Sequence, residues 1–298
     1  MTAIRTQGLS KDYGSGNGLF DLDLEIEGGE IFGFLGPNGA GKSTTMRLLL
    51  DQIAPTSGSA TVLGLDSRRQ SLEIRRRVGF LPGDFALYPK LSGSEMLDYL
   101  AELRGGVDPR VRDGLAERFD AQVDRPVHEL STGNRQKLGL IQAFMHEPEL
   151  LILDEPIVGL DPLVQQSFHA LLDEVVATGR TVFLSSHTLS EVERVAHRVA
   201  ILRRGRLVVV DSLENLHAIA VRQLEIEFAG DVPPTDDFRS IPGVRDASLH
   251  GSHLLVSFEG SADRLVKAIA AHEVRSIRSR DDDLEEIFLR FYRGGEAS

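Results

Sequence analysis

Apolar and acidic residues alternate from Phe20 to Ile26, so the apolar side chains fall on one face of an extended chain. This period of two predicts a strand with one buried face and one face in solvent. The next apolar run, from Ile31 to Leu35, contains no charged residue and predicts a fully buried strand. A glycine-rich loop follows, and the apolar residues between Met46 and Leu50 mark a helix. A strand, a glycine loop and a helix in this order predict the start of an α/β unit.

Two further apolar runs, Leu150 to Leu153 and Thr181 to Leu184, are each followed by a polar loop. They predict buried strands of a parallel sheet whose carboxyl edge carries the function. The region from about residue 83 to 147 differs, because its stretches 93–104 and 109–119 have helical spacing. We therefore predict an α/β domain over residues 1–220 with a helical insertion at about 83–147.

The pattern changes after about residue 220 and predicts a second, smaller domain over residues 221–298. Five predicted segments follow one another there: a strand at 224–228, a short segment at 236–240, a hairpin at 244–258, a helix at 261–271 and a strand at 274–279. The order βαββαβ predicts a ferredoxin-like α+β domain. A last helix is predicted from Leu284 to Phe291, where apolar residues repeat at helical spacing behind three aspartates.

The composition is that of a soluble globular protein with ample material for a core, because 41% of the 298 residues are hydrophobic and 26% are charged. The net charge of −12 argues against a nucleic-acid partner, which needs a basic footprint, and against electrostatic adhesion to an anionic membrane. With no cysteine, the chain has neither a disulfide framework nor a thiolate metal site. It shows no signal-peptide core and no charge-free apolar run of about 18 residues, so we expect it not to span a bilayer by itself.

The loop between the buried strand and the first helix fits the phosphate-loop pattern G-x-x-x-x-G-K-[ST]. Its glycines let backbone N–H groups turn toward phosphate oxygens, and the next helix points its positive end at the same anion. We expect Lys42 to bridge the β- and γ-phosphates of ATP and Ser43 to ligate Mg²⁺. A chance glycine-rich turn is the alternative, which the strand before the loop and the helix after it disfavour. The predicted ATP-binding residues are Gly36, Pro37, Asn38, Gly39, Ala40, Gly41, Lys42, Ser43 and Thr44.

A pair of carboxylates ends the apolar run at residues 150–153. Asp154, at the end of the predicted strand, is a candidate ligand of Mg²⁺, and Glu155 is a candidate to polarise the attacking water. Many strands end in an acidic turn, so this pair indicates a hydrolysis site only in combination with the phosphate loop upstream. Lys42 and Glu155 are therefore predicted to be catalytic.

With these motifs in order, the chain resembles the ATP-binding subunit of an ATP-binding cassette (ABC) transporter. Leu130 to Gln136 resembles the family's signature segment, usually written L-S-G-G-Q, although Thr132 and Asn134 depart from the commonest form. The resemblance implies that Ser131, Thr132, Gly133 and Asn134 cap the γ-phosphate of an ATP held by a second subunit. Physically, Ser131 can cap a helix whose first amides offer an anion site, and a plain capped helix is the alternative.

Three further residues take their roles from the resemblance. Asp161 lies in a segment that resembles the family's dimer-contacting loop, and His187 matches its switch histidine, which senses the γ-phosphate and supports catalysis. Tyr13 stands where the family places an aromatic ring against adenine, with a plain surface tyrosine as the alternative. The implied fold is a P-loop NTPase core with a helical signature subdomain, followed by the small α+β domain.

One departure from the family concerns the metal site. A glutamine that links the Mg²⁺ site to the membrane partner is usual soon after the second sheet strand, and Gly83 stands in its place. Asp84, next to it, is a further candidate for the metal site through a water, although its side chain is shorter and anionic.

The resemblance implies an Mg²⁺-dependent ATPase that works as a homodimer around two ATP molecules and powers export through a separate membrane permease. It also implies a place at the cytoplasmic face of the membrane, and it names no substrate. Two alternatives stay open. One is a regulatory nucleotide-binding module that hydrolyses ATP poorly, as the glycine at 83 suggests. The other is a soluble ATPase that acts on a protein or ribosome without a permease.

Overall fold

A computed structural model describes residues 1–85, 87–219, 222–230 and 232–280. It divides into two compact units, Met1–Asp211 and Ser212–Ser298. Within the described part of the chain, no helix has the length and apolar character needed to cross a membrane. The helix predicted at 284–291 lies outside the described residues.

The first unit is built from both strands and helices. The strands are β1 (Thr2–Gly14), β2 (Asn17–Glu27), β3 (Ile31–Leu35), β4 (Ser57–Val62), β5 (Leu65–Asp66), β6 (Val78–Leu81), β7 (Leu150–Asp154), β8 (Thr181–Ser186), β9 (Arg198–Arg203) and β10 (Arg206–Ser212). The helices are α1 (Lys42–Leu49), α2 (Ser71–Arg77), α3 (Gly93–Leu103), α4 (Pro109–Arg118), α5 (Thr132–Phe144), α6 (Pro162–Ala177) and α7 (Leu189–Glu193).

The central sheet has six strands in the order β10-β9-β3-β8-β7-β6. β3 pairs in parallel with β8 and β9, and β7 pairs in parallel with β6 and β8. Every residue of β3, β7 and β8 is buried, as expected for parallel strands covered on both faces. The predicted parallel sheet is therefore confirmed. Since parallel strands end on the same side, the residues after β3, β7 and β8 meet at one edge.

A second sheet, in the order β2-β1-β4-β5, packs in the same core. The sequence pattern missed β1, although this strand is 13 residues long. Its pairing with β2 shifts register between Thr6 and Leu9, where Gly8 has a φ of +54°. Such a bulge interrupts the alternation of buried and exposed residues, which removes the period of two that sequence reasoning relies on.

The strand before the phosphate loop, β3, and the helix after it, α1, share one core cluster with β8. Phe183 of β8 lies between Phe32 and Phe34 of β3, at ring-centroid distances of 6.2 and 5.2 Å. The buried face of α1 presents Met46 and Leu49 to the same cluster. These contacts bury large aromatic and aliphatic surfaces, so the strand before the loop and the helix after it are held rigidly.

The helical region between β6 and β7 contains the two predicted helices, here α3 and α4, followed by α5. α3 starts with a capping box, in which Ser92 accepts from the Glu95 N–H and the Glu95 carboxylate accepts from the Ser92 N–H. α4 starts with Asp108 as cap and Pro109 in its first turn. The buried faces of these helices explain the helical spacing seen in the sequence.

His146, just after α5, makes the stability of the first unit depend on pH. Burial, together with the nearby Arg104 guanidinium, lowers the pKa of His146 from 6.5 to about 4. Between these values the unfolded chain binds the extra proton, so the stabilisation is complete above pH 6.5 and is lost as the pH falls toward 4. We expect the free energy of unfolding to fall by about 2 kcal/mol from pH 7 to pH 5 through this group alone. Denaturant titrations at both pH values should show this loss in the wild type and not in His146→Gln, which keeps a donor for the Val78 carbonyl.

The second unit has the predicted ferredoxin-like topology. Its elements are α8 (Leu213–Ile219), β11 (Arg222–Phe228), α9 (Thr235–Arg239), β12 (Val244–His250), β13 (His253–Phe258), α10 (Asp263–Ile269) and β14 (Val274–Arg280). The antiparallel sheet has the order β12-β13-β11-β14, and α9 and α10 contribute Phe238 and Leu265 to its core. The βαββαβ order and the hairpin are confirmed.

Candidate nucleotide-binding and hydrolysis site

The phosphate loop lies between β3 and α1, at the carboxyl edge of the central sheet. Gly39 and Gly41 have φ values of +80° and +110°, in the left-handed region that favours glycine. Gly36 is buried, and a Cβ at this position would lie 2.6 Å from the Leu202 carbonyl oxygen. The loop therefore needs glycine at these positions to turn its N–H groups inward.

Lys42 opens α1 and is 5% exposed. Its Nζ donates to the Gly36 carbonyl at 2.6 Å and lies 3.2 Å from Oε1 of Glu155. The other carboxylate oxygen of Glu155, Oε2, lies 2.7 Å from Nδ1 of His187. The Glu155 carboxylate thus lies between a buried ammonium group and an imidazole. The structure brings together the three residues that the sequence predicts to be catalytic.

Asp154 ends β7 and is 4% exposed. Its Oδ1 accepts a hydrogen bond from Ser185 Oγ at 2.5 Å. A buried carboxylate requires such partners, because transfer of an unpaired charge from water is costly. Ser185, at the end of β8, was not singled out from the sequence; its only signal there is the polar pair it forms with Ser186 after an apolar run.

A cavity of about 450 Å³ lies over the phosphate loop. Eight of the nine predicted ATP-binding loop residues line it, all except Gly36, together with Asp154 and Glu155. Tyr13, at the end of β1, also lines it, is 55% exposed and has the Lys11 ammonium 5.5 Å from its ring centroid. Asn17, Gly18 and Arg47 line the cavity too and were missed, because no motif marks them.

The candidate metal ligands also reach this cavity. Ser43, Asp84 and Asp154 all line it, and each offers an oxygen atom. Oxygen ligands suit Mg²⁺, which is usually held by one or two carboxylates together with substrate phosphates. Within the described residues, no group of three His, Cys, Asp or Glu side chains forms an all-protein metal cage. The donor set therefore fits a cation bound together with a nucleotide.

Gly83 leaves space beside the Asp154 carboxylate. A Cβ at position 83 would lie 3.0 Å from Oδ2 of Asp154, so any side chain there would crowd this oxygen. Asp84 is exposed and borders both the phosphate-loop cavity and a second cavity next to the start of α5. The departure from the usual glutamine thus places a short carboxylate near the candidate metal ligands.

The signature segment has a structure of its own at the start of α5. Ser131 is the helix cap, and its Oγ accepts from the Asn134 N–H at 3.2 Å. Asn134 is 6% exposed; its side chain accepts from the Gln122 N–H at 2.8 Å and donates to the Gln122 carbonyl at 2.9 Å. These two hydrogen bonds connect the signature segment to the backbone that follows α4. Thr132, in contrast, is exposed.

Close contacts join the signature segment to the loop after β7. A Cβ at Gly133 would lie 2.5 Å from the Gly159 carbonyl oxygen, so only glycine fits there. Gln136 Nε2 donates to the Pro156 carbonyl at 2.9 Å. Asp161 caps α6, accepting from two backbone N–H groups at 3.1 Å each. Within the described chain, neither Ser131 nor Gly133 lines the phosphate-loop cavity.

A glycine loop between a buried parallel strand and a helix, with a buried lysine and strand-end carboxylates at its cavity, defines the P-loop NTPase class of α/β proteins. A profile of the ABC transporter family matches residues 19–158. The bacitracin transport ATP-binding proteins of Enterococcus faecalis and Bacillus licheniformis are 31% and 32% identical to the chain over 98% and 99% of its length, and over 97% and 98% of theirs. The chain therefore belongs to the ABC transporter family, as one of its ATP-binding proteins.

Solved structures agree with this assignment. An ATP-binding subunit of an ABC transporter is 29% identical, with a TM-score of 0.66 over 72% of this chain and 92% of that one. A dimeric ATP-binding cassette in a post-hydrolysis state, bound to ADP and Pi, has a TM-score of 0.63 at 23% identity, covering 70% of this chain and 98% of that one. The second likeness shows the fold.

Proposed function

We propose that the chain hydrolyses ATP with Mg²⁺ and powers transport through a separate membrane permease. The observation that carries the proposal is the Glu155 carboxylate, 3.2 Å from Lys42 Nζ and 2.7 Å from His187 Nδ1, beside the phosphate loop. Glu155 is in position to accept hydrogen bonds from an attacking water, and His187 to orient that carboxylate. Lys42 is in position to neutralise charge that develops on the transferred phosphoryl group.

Mg²⁺ is the cofactor of this proposal. Asp154 and Ser43 would hold it, with Asp84 as a further ligand through a water. When bound, the ion neutralises the charge of the β- and γ-phosphates. The chain's own residues position the nucleotide: loop N–H groups hold the phosphates, the positive end of α1 faces them, and Tyr13 offers a ring to the adenine.

A second copy of the chain is the first partner in this proposal. Ser131, Thr132, Gly133 and Asn134 would cap the γ-phosphate of an ATP bound by the other copy, and the loop at Asp161 would contact that copy. Two facts support this arrangement. Ser131 and Gly133 are not among the described residues that line their own chain's phosphate-loop cavity, and the start of α5 carries first-turn N–H groups, which a helix leaves without intrahelical partners.

The second partner is an integral membrane permease, and the proposed direction is export. The relatives' names support transport: besides the bacitracin transport proteins, the linearmycin resistance ATP-binding protein of Bacillus subtilis is 27% identical over 96% of this chain. The chain would act at the cytoplasmic face of the membrane, where ATP is available, without nucleic acid. The transported substrate is set by the permease.

The test of the proposal measures phosphate release by the purified chain with ATP and Mg²⁺, with EDTA as control. We expect release that depends on the metal. A wild-type turnover no higher than that of Glu155→Ala would instead favour the regulatory module, which the glycine at position 83 suggests. For the partner, the chain is expressed with and without a candidate permease, sought as a neighbouring gene that encodes about six apolar spans. Sedimentation with membranes only in the presence of that protein supports transport, whereas indifference to it favours a permease-free ATPase.

A further inference from the structure

One buried hydroxyl group joins the two carboxylate residues at the end of β7. In the parallel pairing of β7 and β8, Asp154 lies opposite Ser185, and this is the last pair of the ladder. Both residues are buried. Ser185 Oγ donates to Asp154 Oδ1 at 2.5 Å, within the range of charge-assisted hydroxyl-to-carboxylate bonds.

The same oxygen atom also holds the next residue. Glu155 leaves the strand with a φ of +51°, in a left-handed conformation that is uncommon for a residue other than glycine. The turn takes its N–H out of the ladder, and this N–H donates to Ser185 Oγ at 3.0 Å. A hydroxyl can donate one hydrogen bond and accept others, so Ser185 uses both capacities at once.

This arrangement leaves the two oxygens of Asp154 with different surroundings. Oδ1 is committed to Ser185, whereas Oδ2 is the atom nearest to the position that a Cβ at Gly83 would take, 3.0 Å away. Gly83 itself lines the phosphate-loop cavity. Ser185 therefore holds the carboxylate with its second oxygen on the cavity side, and it holds the start of the turn that aims Glu155.

We propose that Ser185 is a positioning residue for ATP hydrolysis, which orients Asp154 toward the metal and sets the backbone from which Glu155 reaches the attacking water. This inference rests on the proposed function. It assigns Ser185 no contact with ATP. Its loss should therefore lower turnover and metal affinity, and should leave the binding of metal-free nucleotide unchanged.

The test compares Ser185→Ala with Thr181→Val at the other end of β8. Thr181 is also buried, and its Oγ1 accepts from the Gly29 N–H at 2.9 Å, so this control loses a similar hydrogen bond away from the cavity. For Ser185→Ala we expect kcat for ATP to fall by about 10- to 100-fold, the loss typical of groups that orient metal ligands. KM for ATP should change by less than about threefold, because Lys42 and the loop N–H groups hold the phosphates. Ser185→Thr, which restores the hydroxyl, should regain most of the turnover.

A second readout does not depend on hydrolysis. Mn²⁺ is titrated into the wild type and each variant with the non-hydrolysable analogue AMP-PNP, and free Mn²⁺ is followed by electron paramagnetic resonance. We expect the Kd for Mn²⁺ to rise by about tenfold in Ser185→Ala and to stay unchanged in Thr181→Val. Metal-free binding of a fluorescent ATP analogue should be the same in the wild type and in every variant.

The outcomes separate the two proposals. If the wild type releases no phosphate, the proposed function fails, whatever Ser185 does. If the wild type is active and Ser185→Ala keeps kcat and the Mn²⁺ Kd within about twofold, a range too small for the loss of an orienting hydrogen bond, only the positioning role is overturned. A loss shared by Thr181→Val, or a threonine variant as slow as alanine, also overturns it.

Discussion

Glu155→Gln is expected to bind ATP with Mg²⁺ and to release phosphate about 10³-fold more slowly than the wild type, within the range typical for loss of a general base. The amide has nearly the shape of the carboxylate but carries no charge. It can no longer attract a proton of the attacking water. It also loses the ion pair with Lys42 Nζ, which lies 3.2 Å from the carboxylate, and the charged hydrogen-bond partner of His187 Nδ1, which lies 2.7 Å away. Phosphate release and nucleotide binding, measured separately, check the two halves of the prediction.

The same variant should reveal the dimer. If ATP bridges two copies and its cleavage separates them, a variant that binds without cleaving is held in the closed state. We expect Glu155→Gln to elute as a dimer in size-exclusion chromatography at saturating ATP and as a smaller species with ADP. Glu147→Gln, the same change at an exposed residue before β7, serves as the control and should behave as the wild type. A monomer at saturating ATP contradicts the ATP-bridged dimer.

Lys42→Met should abolish turnover, with a loss of about 100-fold or more, because it removes a buried cation from the phosphate site. Ser131→Asp should do the same for a different reason. Aspartate still caps α5, so the helix start is kept, but its charge would repel the γ-phosphate that the proposed pairing brings there from the other copy. Each variant alone is therefore expected to be inactive and folded, as thermal unfolding can verify.

A mixture of these two variants tests whether each site is formed by two copies of the chain or within one copy. In a mixed dimer, the intact phosphate loop of the Ser131→Asp copy meets the intact signature of the Lys42→Met copy. Random pairing makes half of the dimers mixed, each with one complete site, so we expect about a quarter of the wild-type activity. The mixture would stay inactive if each chain completed its own site. Either variant mixed with wild type should keep about half of the wild-type activity and serves as the control that mixing itself does not inhibit.

Several parts of the fold and site followed directly from the sequence. The phosphate loop is recognisable because its function depends on local backbone geometry, which glycines at 39 and 41 impose whatever the surroundings. The buried strand before it and the two further strands β7 and β8 follow from apolar runs, since only a strand covered on both faces tolerates them. The ferredoxin-like order of the second unit follows from the same patterns. The proposed pairing of the loop with the signature rests on motif order and resemblance.

The tertiary structure decided what depends on residues far apart in the chain. Ser185 acquires its contact with Asp154 only through the register of β7 on β8, and no local pattern contains that register. Gly133 requires glycine because the Gly159 carbonyl approaches it, a contact between two segments that the sequence separates. β1 escaped detection because its bulge breaks the alternation of burial. Short stretches of sequence determine local backbone preference, whereas close packing and strand register depend on the assembled fold.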